Sequence, residues 1–396
     1  MTELTLSITP TDAVEMAALQ RVLKEFESRT HISVRLHEID TKVAREEINQ
    51  FAVNGKGPDV SQVGSTWLRG IVDMNVLRPF ATREIAQVGE PTDFIGASWS
   101  STFMPGQPNV QWAIPWLADV RMVYYRRDLL QKAGIDEQGA FATPEIFEQT
   151  LTKLQASRVA VPWVVPTQHS WRSFHNIASW VWSLGGDFVD STGKRVLFSS
   201  PEALAGFKAY FSLERFMTGP ARGLTTSQSD AFFMNGQAAV TLSGSHLLAM
   251  APELLEKVGF TSPPGPPFVG GSHLVIWKYT HHENEAVQLV QALAGADAQK
   301  SYGLGSLLPV RLDALAELEK VTGREGVFAR YVQQALANGR SFPSIYLWDI
   351  VESRLVTAIA SIWDEILKSS APDSEAILQG ILPTLAHRLN AILSSD

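Results

Sequence analysis

The sequence predicts an α/β protein built of two lobes. Three observations carry that expectation. Strand and helix patterns alternate from the first residues onward, the 396-residue length exceeds what one hydrophobic core fills, and two breaks, near residues 117 and 270, divide the pattern so that the chain leaves one lobe and returns to it. At about 150 residues per domain, two domains follow, or three. Apolar residues make up 45% and charged residues 19% with no low-complexity run, which is the composition of a folded chain.

In "LTLSI", Leu4, Leu6 and Ile8 alternate as in a half-buried strand. Asp12 and Glu15 then form a capping box ahead of Met16, Leu19, Leu23 and Phe26, so a helix follows. "ISVRLHEI" alternates again, and a strand, helix and strand in succession predict a right-handed βαβ unit with a parallel sheet. A second helix, Val43 to Val53, leads through Gly57-Pro58 into a third strand, "DVSQVG". Asp12, Asp40 and the run Gly64 to Trp67 follow strand carboxyl ends, where open α/β sheets bind ligands. Gln111 to Gly134 reads as one long strand entering a helix, with Asp119 and Arg121 where apolar residues would continue. Thr143-Pro144 and Ser200-Pro201 are N-cap and N1 pairs that start helices. "FTSPPGPPFVGG", Phe260 to Gly271, is expected to be a crossing segment and not a strand. "SHLVIWK" resumes a strand, Glu285 to Leu293 a helix, and the chain from Gly326 is mostly amphipathic helix.

The net charge of −8 and the lack of a Lys/Arg-rich run provide no face for nucleic acid. No apolar run reaches the roughly 18 residues of a membrane span, and the first residues form no signal peptide. Cysteine is absent, which removes disulfides and thiolate chemistry. There is no HExxH, GxSxG or GxxxxGK[ST], "GLGSLL" fails GxGxxG at its last position, and His281-His282 reads as a solvated turn, so neither a metal nor a cofactor is expected. A glycosidase needs only two convergent carboxylates, so glycoside hydrolysis by a pair such as Asp119 and Asp187 stands as the rival reading.

Seven of the eleven tryptophans fall between Trp99 and Trp182. Most belong to the core, but Trp67, Trp116, Trp163, Trp171 and Trp182 lie near turns beside Thr66, Asp119, Gln168 and His169. Sugar rings pack C–H faces on aromatics while their hydroxyls need donors and acceptors, so this mixture suits a carbohydrate.

Seven stretches, in order along nearly the whole chain, carry a family resemblance: "GPDVSQVGSTWLRGIVDMNVLRPF", "AIPWLADVRMVYYRRDLLQKAGI", "SLGGDFVDSTGKRVLFSSPEA", "FFMNGQAAVTLSGS", "FVGGSHLVIWKYTHHENEAVQLVQAL", "GSLLPVR" and "FPSIYLWDIVESRL". The chain resembles the extracellular solute-binding proteins (family 1) of ABC transporters, in the sugar- and maltodextrin-binding branch. The resemblance implies a two-lobed periplasmic-binding-protein-like fold of type II, each lobe a mainly parallel sheet flanked by helices, with a ligand cleft between lobes and hinge closure. The lobes would be 1–117 plus 272–325, and 118–271 plus 326–396.

The resemblance further implies a binding protein and not an enzyme. It would be a monomer that delivers a mono- or oligosaccharide to ABC transporter permease subunits from a periplasmic or extracellular, membrane-associated position. A lipid-anchored mature protein of this family begins with an acylated cysteine, which this chain lacks, so either the sequence starts after it, the favoured expectation, or the protein is a soluble periplasmic or cytoplasmic member.

By position, Thr11 and Asp12 match the loop after the first strand, and Ser65, Thr66 and Trp67 the loop after the third. Asp119 matches a carboxylate on sugar hydroxyls, and Arg121 pairs with it or reaches the ligand. Ser173 and His175 stand where relatives have an acid and a stacking tyrosine. His246, beside Ser243 in "TLSGSH", replaces a cleft tryptophan, and Trp348 keeps a late stacking aromatic. Gln168, His169, Trp116, Asp40, and Gly271 with Ser272 at the second crossing complete the expected set, while Gly185 and Gly186 match a structural double glycine. Relatives also carry glycerol phosphates, polyamines and metal ions, so a binding protein for a non-sugar solute is a further alternative, although with Arg121, Arg172 and Arg311 as the candidate cleft cations a phosphate cluster has weak support.

Overall fold

The structure, a computed structural model, describes residues 2–393 apart from 11, 12, 42, 250–253, 255, 303–306, 322, 346, 370 and 371. Thr11 and Asp12 therefore lie outside the described residues. The strands, in chain order, are β1 (Glu3–Ile8), β2 (Ser33–Glu38), β3 (Val60–Gly64), β4 (Leu77–Arg78), β5 (Phe103–Met104), β6 (Gln107–Gln111), β7 (Ile114–Val120), β8 (Met122–Arg126), β9 (Trp163–Val164), β10 (Val240–Ser243), β11 (Val258–Thr261), β12 (Val269–Trp277) and β13 (Leu308–Pro309).

Contacts divide the chain into two compact units. The first comprises Met1–Val120, Val269–Ala337 and Ser341–Asp349, and the second Arg121–Phe268, Asn338–Arg340 and Ile350–Asp396. Sequence reasoning puts 326–396 wholly in the second lobe. Instead helix Gly323–Asn338 lies almost entirely in the first unit, burying Phe328, Val332 and Leu336. An amphipathic stripe shows that a helix is covered but not which sheet covers it.

The first unit holds a sheet in the order β13-β7-β12-β3-β1-β2, with β4 also on β12. Leu4, Leu6 and Ile8 are buried as their alternation requires. β1 runs parallel to β2 and β3, but β12 is antiparallel to β3, β4 and β7, and β13 to β7. The sheet is mixed and not mainly parallel, because the returning strand β12 enters against its neighbours. That strand begins at Val269, inside the segment expected to lack strand structure. Gly271 makes this possible: its φ is +133°, and a Cβ there would meet the Leu117 carbonyl oxygen at 2.1 Å.

The second unit holds a sheet in the order β11-β8-β10-β9, with only the β9–β10 pair parallel. The long strand expected from Gln111 is thus two, β7 and β8, which belong to different units and part at Arg121. Thr143 and Ser200 cap their helices as predicted, accepting from the N–H groups of Ile146 (3.2 Å) and Ala203 (3.2 Å). An aromatic core joins Phe147 edge-on to Trp163 and Trp180, both at 5.2 Å, and Trp180 to Tyr210 at 5.1 Å. Trp163, expected near a ligand, is therefore core.

Candidate functional site

Strand directions in the first unit collect polar groups at one edge of the sheet. β1, β2, β3 and β7 all run the same way, so their carboxyl ends and the amino end of the antiparallel β12 share that edge. This is where open α/β sheets carry ligands. Ser65 follows β3, and its N–H donates to the Gly271 carbonyl at 3.0 Å. Thr66 and Trp67, half-buried like Ser65, turn into helix Leu68–Asp73. The Trp67 ring covers Gly64 so closely that a Cβ there would meet it at 2.9 Å. Asp119, half-buried on β7, pairs across the ladder with Gly270. Asp40 is exposed after β2.

Ser272 is buried at this edge and accepts from Gln62 Nε2 at 3.0 Å, while Gln62 Oε1 takes the Thr9 N–H at 2.8 Å. Gln62 thereby ties the ends of β1, β3 and β12 together. Sequence reading missed it because a buried glutamine inside a strand has no pattern of its own.

The second unit repeats the arrangement. β9, β10 and β11 all run the same way and β8 runs against them, so the carboxyl ends of β9, β10 and β11 meet the amino end of β8. Arg121 precedes β8 and is buried, with its N–H on the Phe268 carbonyl at 3.0 Å. Gln168 and His169 are exposed in the loop after β9, and Gln168 Nε2 donates to the Gly223 carbonyl at 2.7 Å. Half-buried His175, on helix Trp171–Ser183, stacks on Phe268 with centroids 4.0 Å apart and planes 20° from parallel. Its Nε2 is 3.9 Å from the fully buried Glu352 carboxylate. Ser243 ends β10, and His246 opens the short helix that follows.

Several expected contacts are spent on partners within their own unit, which burial alone would not decide, since Arg121, Ser243, Ser272 and His246 are buried too. Trp116 is fully buried, its indole N–H donating to the Tyr302 hydroxyl at 3.1 Å, so it is a core side chain. Ser173 is fully buried and donates to the Pro166 carbonyl at 3.1 Å. Trp348 is 1% exposed and packs on Phe342 at 5.0 Å. Trp182 is mostly buried, with its indole N–H on Asp187 Oδ1 at 3.2 Å and Arg340 4.7 Å above its ring. Gly271 serves its ladder, where its φ and its closeness to Leu117 leave no room for a side chain. The turn proximity that suggested Trp116 and Trp182 is equally a feature of a buried element end, and Ser173 and Trp348 were expected from the resemblance alone. Among the described residues no group of three His, Cys, Asp or Glu could hold a metal ion. A surface groove of about 690 Å³ along helix Ala44–Asn54 is lined by Glu46, Glu47 and Phe51 and by none of the candidate residues.

Two α/β units, with a chain that passes from one to the other and back, define the two-lobed class of type II periplasmic-binding-protein-like folds. The chain belongs to the family of bacterial extracellular solute-binding proteins, whose model matches residues 10–300. The diacetylchitobiose binding protein DasA of Streptomyces coelicolor is 22% identical over 369 residues, covering 89% of this chain and 82% of that protein. A maltose-bound MalE3 of T. maritima aligns at a TM-score of 0.82 with 19% identity, over 99% of this chain and 100% of that one. A solute binding protein from Thermotoga lettingae, bound with alpha-D-tagatose, aligns at 0.81 with 17% identity over the same shares. At such identities the two structures establish the fold.

Proposed function

We propose that the chain is a carbohydrate-binding solute receptor that binds a mono- or oligosaccharide without transforming it, closes on it by a hinge motion and delivers it to an ABC transporter permease. The two units are the lobes of this reading, and the protein acts as a monomer in a periplasmic or extracellular, membrane-associated position. The observation that carries it is the gathering of hydroxyl, carboxylate, imidazole and aromatic groups at one sheet edge of each unit: Ser65, Thr66, Trp67 and Asp119 in the first, Arg121, His175, Ser243 and His246 in the second. Such a mixture answers both faces and hydroxyls of a sugar. The relatives support the class, since the curated one is named for diacetylchitobiose and the solved ones hold maltose and tagatose. No helix among the described residues is long and apolar enough to cross a membrane, so membrane association runs through the permease or a lipid anchor.

The hydrolase reading is disfavoured by Asp187. Its Oδ1 accepts from the Trp182 indole at 3.2 Å and from the Phe188 N–H at 2.9 Å, and its Oδ2 from Arg340 at 2.8 Å. A carboxylate held this way is a structural clamp, poorly placed to shuttle protons. A thermal-shift screen of sugars, polyamines and amino acids tests the proposal. A ligand present at 100 times its Kd adds about 2.7 kcal/mol, so a narrow set of sugars should raise the melting temperature. A shift with a polyamine or amino acid and with no sugar would overturn the ligand class, and cleavage of the stabilising oligosaccharide on incubation would revive the hydrolase.

A further inference from the structure

The second unit contains a buried carboxylate that the sequence did not single out and that no ligand role requires. Asp230 lies on helix Thr226–Met234, which starts at a full capping box: Thr225 accepts from the Gln228 N–H at 3.3 Å, and the Gln228 side chain takes the Thr225 N–H at 2.9 Å. That helix is fixed at its first turn, and Asp230, one turn further, is only 5% exposed. Its two oxygens are divided between two groups. Oδ1 accepts from the Ser243 hydroxyl at 2.8 Å, and Oδ2 lies 2.9 Å from His246 Nε2. Ser243 and His246 sit three residues apart across the end of β10, so one carboxylate spans the turn that leaves the strand. Burial pushes the Asp230 carboxyl up, but the His246 hydrogen bond and charge, the Ser243 hydroxyl and the nearby Arg172 charge together hold it below the ordinary carboxylate range.

We propose that Asp230 is a positioning residue for solute binding: it locks Ser243 and His246 into one arrangement at the strand end, without itself touching the solute. The inference rests on the reading that Ser243 and His246 face the ligand. Stability alone is a poor reason for such a group, because replacing a buried ion pair by apolar residues is often neutral or favourable, whereas removing one partner leaves the other uncompensated. Positioning is a better one. With Nε2 committed to a carboxylate, the imidazole has a fixed ring orientation. The same carboxylate feels Arg172, in the first turn of the helix that carries His175, and Ser170 Oγ at the cap of that helix lies 3.1 Å from Thr226 Oγ1 at the start of the Asp230 helix. The helix carrying Asp230 and the helix carrying His175 are therefore tied at their starts.

The test uses the full chain, calorimetric titration with maltotriose and diacetylchitobiose, and the variants Asp230→Asn, Ser243→Ala/His246→Gln, and the triple combination. Asp230→Asn should weaken binding by at least about tenfold, and the same change in the doubly substituted background should alter affinity by less than about twofold, since a residue acting through its neighbours is not additive with them. An unchanged affinity in Asp230→Asn, or an equal loss in both backgrounds, overturns the proposal. Amide hydrogen exchange without ligand supplies an independent reading: the amides from Gly244 to Leu247 should exchange at least about tenfold faster in Asp230→Asn, and wild-type rates there overturn it. A wild type that binds neither sugar counts against the carbohydrate reading and leaves hydrogen exchange to decide the role of Asp230. Should Asp230→Asn fail to fold, Asp230→Glu carries the same comparisons.

Discussion

Asp119 shows how one residue type divides into different roles according to what surrounds it. It is half-buried on β7 beside the glycine-rich start of β12, at the edge where Ser65 and Ser272 also lie. Asp187 by contrast is enclosed by the Trp182 indole, a backbone N–H and Arg340, and Asp230 is divided between a hydroxyl and an imidazole. Of these three carboxylates, Asp119 is the one that the proposed function assigns to ligand hydroxyls. Removing a charged hydrogen-bond partner costs about 1.5 to 3 kcal/mol. Asp119→Ala should therefore weaken sugar binding by at least about tenfold, measured by calorimetry, with the melting temperature of the free protein close to wild type. Unchanged affinity would take Asp119 out of the site, and loss of folding would make it a structural residue of β7.

Among the elements, β12 has the most dependents: it pairs with β3, β4 and β7, and its first residues border the crossing into the second unit. His273 lies within it, 1% exposed. The Ser101 hydroxyl donates to the Ser98 carbonyl at 2.9 Å, so it accepts from His273 Nε2, also at 2.9 Å. Burial, against a smaller upward pull from a hydrogen bond with Ser272, lowers the imidazole to about 4. An unfolded histidine titrates near ~6.5, so between these values the unfolded chain takes up a proton that the folded chain refuses, and stability falls as pH drops through that window. The loss is about 1.4 kcal/mol per pH unit and about 3 kcal/mol in all. Melting temperatures at pH 7 and pH 4.5 should fall further for wild type than for His273→Asn. Equal falls would show that His273 does not set the acid sensitivity of β12.

This strand also marks how far the sequence could be read. Alternation found β1 and β2, and Thr143 and Ser200 marked helix starts, because those signals are local. The start of β12 was hidden behind four prolines and a glycine pair, since pairing with β7 is a long-range property that composition does not encode. Burial was hidden for the same reason. Trp116 and Trp163 look like turn-side aromatics in sequence and are core in the structure, and Asp230 gains its meaning only from Ser243 and His246, thirteen and sixteen positions away. The loop after β3 was marked because strand ends can be counted and the one after β10 only through the family resemblance, while the partners that hold them, Gln62 and Asp230, lie within regular elements.

For the whole molecule, the chain leaves the first unit between Val120 and Arg121 and returns between Phe268 and Val269. Each of these crossings is braced on both of its sides. In the first unit Val120 pairs with Val269, and in the second the Arg121 N–H bonds the Phe268 carbonyl while Arg340 N–H bonds the Pro267 carbonyl at 2.9 Å. The proposed function puts a hinge rotation at these paired segments. In the proposed function the hinge, expected at Leu117 to Arg121 with Phe268 to Ser272, is placed at these two junctions, and the chain also changes unit at 337–338, 340–341 and 349–350. A solute shifts such an equilibrium only by binding one arrangement better than the other, so the proposed function requires contacts from residues of both units. Small-angle scattering of the free protein and of the protein saturated with its stabilising sugar should show a smaller radius of gyration on binding at unchanged mass. Superimposable curves, with saturation confirmed by calorimetry on the same sample, would mean that binding does not close the protein, and the hinge at 120–121 and 268–269 would have to be given up.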